Sequence, residues 1–171
     1  KAQKVMIDHH TNPGNFADVI ISYPNISSTS EMIFRLICRM GYAPEIEKKI
    51  ATCVYTGMMT DTGAFTYNSN SPEIYTIISE LLKKEIDKDY IYRRINSNFS
   101  VSRLKLEGYA LSEKMIVDEK MGVSVMSLTQ EELTRFNYQK GDSEGFVNIP
   151  LSIKGVVLSA FFKEEDGKVK I

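Results

Sequence analysis

Val5-Met6-Ile7 runs directly into Asp8-His9-His10, and no other feature constrains the chain as much. An apolar run this short cannot make a helix. It reads as a buried parallel β-strand with polar groups at its carboxyl end. Ligands of open α/β sheets bind outside the carboxyl ends of the strands, so this junction indicates both the layering and the place to look for chemistry. His9 and His10 are the chain's two histidines. A carboxylate beside two adjacent imidazoles can present one ring to a metal ion and its neighbour to a substrate. The competing reading is a surface histidine pair with a turn-capping Asp. Imidazole suits manganese, iron, zinc or nickel and carboxylate suits manganese or magnesium, so the mixed set points to manganese or a relative.

The rest of the chain alternates strand and helix signals. Thr11-Asn12-Pro13-Gly14-Asn15 is loop chemistry, and Val19-Ile20-Ile21 is a second strand. Ser28-Thr29-Ser30-Glu31 has capping-box spacing ahead of a helical stripe of Met32, Leu36, Ile37 and Met40 that stops at Gly41. A second helix is expected from about Pro44, with Ile46, Ile50, Cys53, Val54 and Met58 in register, ending at Thr60-Asp61-Thr62-Gly63. Ser71-Pro72-Glu73 opens a third and Asp87 to Ile95 forms a fourth. Ser100 or Ser102 caps a longer helix to about Met115. Beyond Asp118 the pattern changes: Gly122 to Met126 alternates as a strand, and Thr129 to Glu132 is a second capping box. Val156 to Phe162 and Val169 onward are strands joined by the turn Glu165-Asp166-Gly167. The expected organisation is α/β: a parallel-sheet unit over 1–95, a connector helix over 96–118, and the start of a second, mixed α/β unit over 119–171.

Composition excludes several classes. The net charge of −1 over 171 residues rules out a strongly basic nucleic-acid platform, and sequence-specific DNA is not an expected partner. A nucleotide enzyme remains open, because a metal can neutralise phosphate locally. Cys38 and Cys53 lie in apolar helical patterns without a Cys-x-x-Cys pair, so both read as buried thiols in a reducing, cytoplasmic compartment. No apolar run reaches membrane-spanning length, and no secretory leader is expected. Gly-x-Ser-x-Gly, Walker and Gly-x-Gly-x-x-Gly strings are absent from the sequence.

Three further places could carry chemistry. Asp61, flanked by hydroxyls and followed by Gly63, is either a hard ligand or an ordinary helix-terminal turn. Ser28 and Thr29 could meet phosphate at a helix N-terminus or simply cap it. Asn15 could contact substrate or make the turn. Arg93, Arg94 and Arg103 read as solvated helix charges.

In order along the chain, Ile7-Asp8-His9-His10, Asn15-Phe16, Ser28-Thr29-Ser30-Glu31 and Gly57 to Phe65 resemble the third and fourth motifs of the DHH phosphoesterase superfamily. Glu144 to Asn148 and Ile153 to Val157 resemble the start of a DHHA1 domain. The branch most similar comprises the DHH/DHHA1 oligoribonucleases and 3′-phosphoadenosine-5′-phosphate phosphatases. The resemblance implies that His9 and Asp61 ligate one of two divalent ions, usually manganese, with magnesium or cobalt as substitutes. It implies that Asp8 supports the site from behind and His10 faces the substrate phosphate, these two forming the catalytic set. It implies a short oligonucleotide or nucleotide phosphate as substrate, with Asn15, Ser28 and Thr29 nearby. Two such ions, about 3.5–4 Å apart, would activate a bridging water for in-line attack. The family's first two motifs lie upstream of the Asp-His-His string, which only seven residues precede here, and a Gly-Gly-Gly-His string is expected beyond Ile171. The chain is therefore expected to be an internal piece that binds metal poorly and is nearly inactive alone. Alternatives are a non-catalytic homologue that binds nucleotide or protein, a cyclic-dinucleotide phosphodiesterase, or an exopolyphosphatase. Monomer and homodimer are both left open.

Overall fold

The computed structural model describes residues 2–171. In chain order the elements are β1 (Val5–Asp8), β2 (Val19–Ser22), α1 (Thr29–Arg39), α2 (Lys48–Asp61), α3 (Pro72–Leu82), α4 (Lys88–Asn96) and α5 (Val101–Tyr109), which continues as a π-helical turn, Ala110–Lys114. They are followed by β3 (Ile116–Asp118), β4 (Val123–Leu128), α6 (Gln130–Arg135), a 3₁₀ stretch (Phe146–Ser152), β5 (Leu158–Glu165) and β6 (Lys168–Lys170). The fold is mixed α/β, and its packing divides into one unit ending at Ser97 and another spanning Asn98–Ile171.

In the first unit β1 and β2 pair in parallel, Val5 opposite Val19 through Asp8 opposite Ser22. The connection between them, residues 9–18, contains no helix, and its end is tied to the start of β1 where Asp18 and Val19 donate backbone N–H groups to the Lys4 carbonyl at 2.9 and 3.1 Å. The strands are parallel as expected but not buried: Val5, Val19 and Ile20 are exposed. The burial lies in the helices instead. Ala51, Val54, Tyr55, Met58 and Met59 of α2 form a stripe at helical spacing that packs with Phe34 of α1, Ile74, Ile77 and Leu81 of α3, and Ile91 of α4. That stripe explains a second correction. Cys53 is exposed and Cys38 only partly covered, because Cys53 lies off the buried face. α2 also starts later than Pro44, since residues 42–46 form turns, with Glu45 donating to the Tyr42 carbonyl at 3.2 Å.

The second unit is a four-stranded sheet ordered β3-β4-β5-β6, with β4 and β5 parallel and the outer pairs antiparallel. Leu106 and Ala110, from the segment expected to connect two units, pack with Met126, Leu128, Leu133 and Phe146 in this unit's core. The helix thus belongs to the second unit rather than standing between the two. β3 and the 3₁₀ stretch were not anticipated from the sequence. The Asp166-Gly167 turn is as expected, both residues left-handed (φ 53° and 71°) between Glu165 and Lys168, which suits a two-residue hairpin. Among the described residues, no helix is long and apolar enough to cross a membrane.

Candidate metal centre

The site forms where β1 ends. The Asp8 carbonyl accepts the Tyr23 backbone N–H at 3.1 Å, which fixes the last strand residue against the end of β2. Beyond it the two rings part: the side chain of His9 is 16% exposed and that of His10 is 75% exposed. The ring centroids are 4.6 Å apart and tilted by 53°. Asp8 serves both residues. Its Oδ1 accepts the His9 backbone N–H at 2.9 Å and lies 2.6 Å from His10 Nδ1. The hydrogen bond from His10 holds the Asp8 carboxyl below its ordinary range. The same bond, with the negative charge behind it, raises the His10 imidazole above its usual value.

His9 is held from two sides. Nδ1 lies 3.2 Å from the Ile26 carbonyl oxygen, and Nε2 lies 3.2 Å from Asp61 Oδ2. A carbonyl oxygen only accepts, so Nδ1 must donate to it. In neutral imidazole that leaves a lone pair on Nε2, facing a carboxylate oxygen. Two acceptors this close call for a cation beside them, a proton or a metal ion. An imidazole nitrogen and a carboxylate oxygen are donors that manganese and its neighbours accept. The donor chemistry therefore fits a divalent ion. The donor number does not complete a site, because among the described residues no group of three or more His, Cys, Asp or Glu converges.

Asp61 reaches this position as the last residue of α2, 45% exposed, where the helix is stopped by its own cap. Thr62 is fully buried, its hydroxyl donating to the Met58 carbonyl at 2.7 Å and accepting the Phe65 N–H at 3.0 Å. Gly63, Ala64 and Phe65 then all take the left-handed region, φ 52°, 57° and 66°. Only the glycine does so without strain, so the turn behind Asp61 is over-determined by its surroundings. α2 is also pressed against the start of α1. A Cβ on Gly57 would lie 1.9 Å from Ser30 Oγ and 2.8 Å from Ser30 Cβ, so glycine is what permits this approach.

The structure thus joins His9 to Asp61, and Asp8 to His10. It separates out the residues read as substrate contacts. Ser28 is fully buried, and its hydroxyl accepts the Glu31 N–H at 3.1 Å, which makes it a helix cap rather than a substrate contact. Thr29 is half-buried as the first residue of α1, and Asn15 is exposed in the connection between the strands. Sequence reasoning named Gly57 only as the first residue of a motif and gave it no packing role, though a glycine inside a helical pattern was its signal. It also missed the Ile26 carbonyl, which has no side-chain signature. A cavity of about 460 Å³ lined by Ile7, Ile21, Tyr23, Ile26, Met32 and Leu36, with Arg35 and Arg39, is apolar and is lined by none of His9, His10 or Asp61.

The chain is similar to known proteins. Residues 1–58 match the family model described as the DHH family, N-terminal domain. A probable bifunctional oligoribonuclease and PAP phosphatase NrnA of Streptococcus mutans is 30% identical over 168 residues, covering 98% of this chain and 53% of that protein. The bifunctional oligoribonuclease and PAP phosphatase NrnA of Thermus thermophilus is 30% identical over 168 residues, covering 98% and 49%. The crystal structure of an exopolyphosphatase-related protein from Bacteroides fragilis superposes with a TM-score of 0.93 at 59% identity, covering 98% of this chain and 49% of that one. The chain spans about half the length of the curated relatives it matches.

Proposed function

This chain belongs to the DHH family, and from that premise we propose that it carries part of the metal centre of a phosphoesterase acting on short oligoribonucleotides and 3′-phosphoadenosine-5′-phosphate. The observation that supports this most is the facing pair of acceptors, His9 Nε2 and Asp61 Oδ2, 3.2 Å apart at the carboxyl end of a parallel strand. The relatives named as oligoribonuclease and PAP phosphatase support the substrate class.

In this reading His9 and Asp61 are two ligands of a divalent ion, manganese by preference. An ion held by His9 and Asp61 would supply Lewis-acid chemistry for phosphoester hydrolysis. The chain's own residues do the rest. The Ile26 carbonyl orients His9. Asp8 anchors the backbone of His9 and, by raising His10, keeps the exposed imidazole positively charged to higher pH than a free histidine. A cationic ring turned to solvent beside the donor pair suits a phosphate oxygen or a leaving oxygen that needs a proton. The two free thiols suit a reducing cytoplasm.

The test has two parts. Manganese titrated into the 15N-histidine-labelled chain broadens the His9 ring signals, and Asp61→Ala weakens that effect at least tenfold. In the longest reading frame containing this chain, manganese-dependent hydrolysis of a dinucleotide and of the bisphosphorylated adenosine is abolished by His9→Ala and by Asp61→Ala. Cleavage of polyphosphate alone would move the assignment to an exopolyphosphatase. Manganese binding with no hydrolysis of any of the three would leave a binding homologue.

A further inference from the structure

Glu31 was read from the sequence as half of a capping box, yet its carboxylate does something else. Ser28 Oγ accepts the Glu31 N–H at 3.1 Å, so the forward half of the box is present. A capping box would return the carboxylate to the N–H of Ser28. Instead Glu31 Oε2 accepts the Ser27 N–H at 3.1 Å and the Ser27 hydroxyl at 2.5 Å, one residue earlier. Oε1 takes both Nε and Nη2 of Arg35, at 2.8 and 2.6 Å. The carboxylate is 2% exposed, so this set of donors fills its surroundings.

The Ser27 N–H and the Ile26 carbonyl are the two ends of one planar peptide group and point in opposite directions. Whatever holds the N–H also aims the carbonyl, and that carbonyl faces His9 Nδ1 at 3.2 Å. A carboxylate on the N–H end also polarises the group and strengthens the carbonyl as an acceptor. The line therefore runs Arg35, Glu31, the 26–27 peptide, His9, Asp61. We propose that Glu31 is a positioning residue: by clamping the 26–27 peptide it holds His9 as the Nδ1–H tautomer and keeps the Nε2 lone pair aimed at the cation position. The proposal rests on the metal-centre reading for its purpose but not for its test.

With only two histidines in the chain, selective 15N-histidine labelling yields a spectrum of just their ring nitrogens, and His10→Gln assigns it. At pH 8 without metal, in an Asp61→Ala background that removes the acceptor facing Nε2, His9 is expected with Nδ1 protonated and Nε2 bare, and the tautomers of the Glu31 variants are compared in that same background. Glu31→Ala frees the peptide and shifts His9 toward a mixture with Nε2–H. Glu31→Gln keeps the volume and so guards against misfolding. Its amide cannot accept from both Arg35 and the Ser27 N–H, so it produces the same shift. Manganese affinity falls about tenfold to a hundredfold in both, the usual effect of losing an outer-shell partner. An Nδ1–H signature unchanged in Glu31→Gln, with helix content intact, overturns the proposal and leaves Glu31 a packing residue. The tautomer measurement uses neither metal nor substrate, so failure of the longest reading frame containing this chain to bind manganese would count against the phosphoesterase reading alone.

Discussion

Gly57 has no side chain to do chemistry, yet it sets how closely α2, the helix that ends in Asp61, approaches the start of α1. It lies one helical turn before Asp61 on α2, against Ser30 in the first turn of α1. Rotation of Ser30 could relieve the 1.9 Å contact that a new Cβ would make with Oγ, but not the 2.8 Å contact with Cβ. Gly57→Ala is therefore expected to part the helices and to destabilise by about 1–3 kcal/mol. Ser30→Gly added to it should restore most of that loss. Urea unfolding of the two single variants and the double variant measures the coupling, and independent, additive effects would contradict the contact. At this scale Asp8, His9, His10 and Asp61 stood out in the sequence because their side-chain chemistry is distinctive, and the structure brings them together as two pairs. Ser28 was left open between cap and phosphate contact because a hydroxyl at a helix start serves both, and its burial and its bond from the Glu31 N–H favour the cap.

At the scale of elements, the caps follow the sequence only in part: Glu31 leaves the box at α1 open and Ser71 makes no side-chain cap bond at α3. α6 carries a complete box, Thr129 with Glu132. Glu132 does more than cap. It also accepts from the Tyr109 hydroxyl at 2.6 Å and Lys114 Nζ at 2.9 Å, joining α6 to the end of α5 and its π-helical turn. Burial alone would push its carboxyl up. The bonds from Tyr109, the Thr129 N–H and Lys114 outweigh it and hold the group at about 2, against an ordinary 4.5. A depressed native value means that its stabilisation is complete above the unfolded value and fades as pH falls from 4.5 through about 2. Glu132→Gln should cost about 2 kcal/mol at pH 7, the scale of hydrogen bonds to a charged group. The gap between variant and wild type should narrow as pH falls below 4.5 and close only once pH has passed through about 2. Urea midpoints across that range check this, and a constant gap would show that packing rather than charge carries the contribution. The π turn itself was not readable, since its apolar spacing is that of the helix it continues.

For the whole molecule, the packing gives two separate cores, one built on α2 and one on the sheet of the second unit. Phe146 is 1% exposed and packs edge-on to Phe161 with centroids 5.9 Å apart. Phe146→Ala is expected to cost about 3–5 kcal/mol. With separate cores, that loss should appear in the second unit's unfolding, while the ring signals of His9 and His10 keep their native positions until the first unit melts. Simultaneous loss of both sets of signals would mean that the units unfold as one.

The sequence by itself determined the α/β alternation, most helix boundaries, the Asp-Gly hairpin and the identity of the donors at the end of β1. Each of these is written in local periodicity or in turn and cap chemistry, which act over a few residues. The tertiary structure decided the rest. It turned α5 from a connector into part of a core, exposed Cys53, buried Ser28, and brought Asp61 to His9. It also placed the Ile26 carbonyl behind that ring. These outcomes depend on which helix face meets which neighbour, and contacts between residues far apart in the chain leave no periodic trace in it.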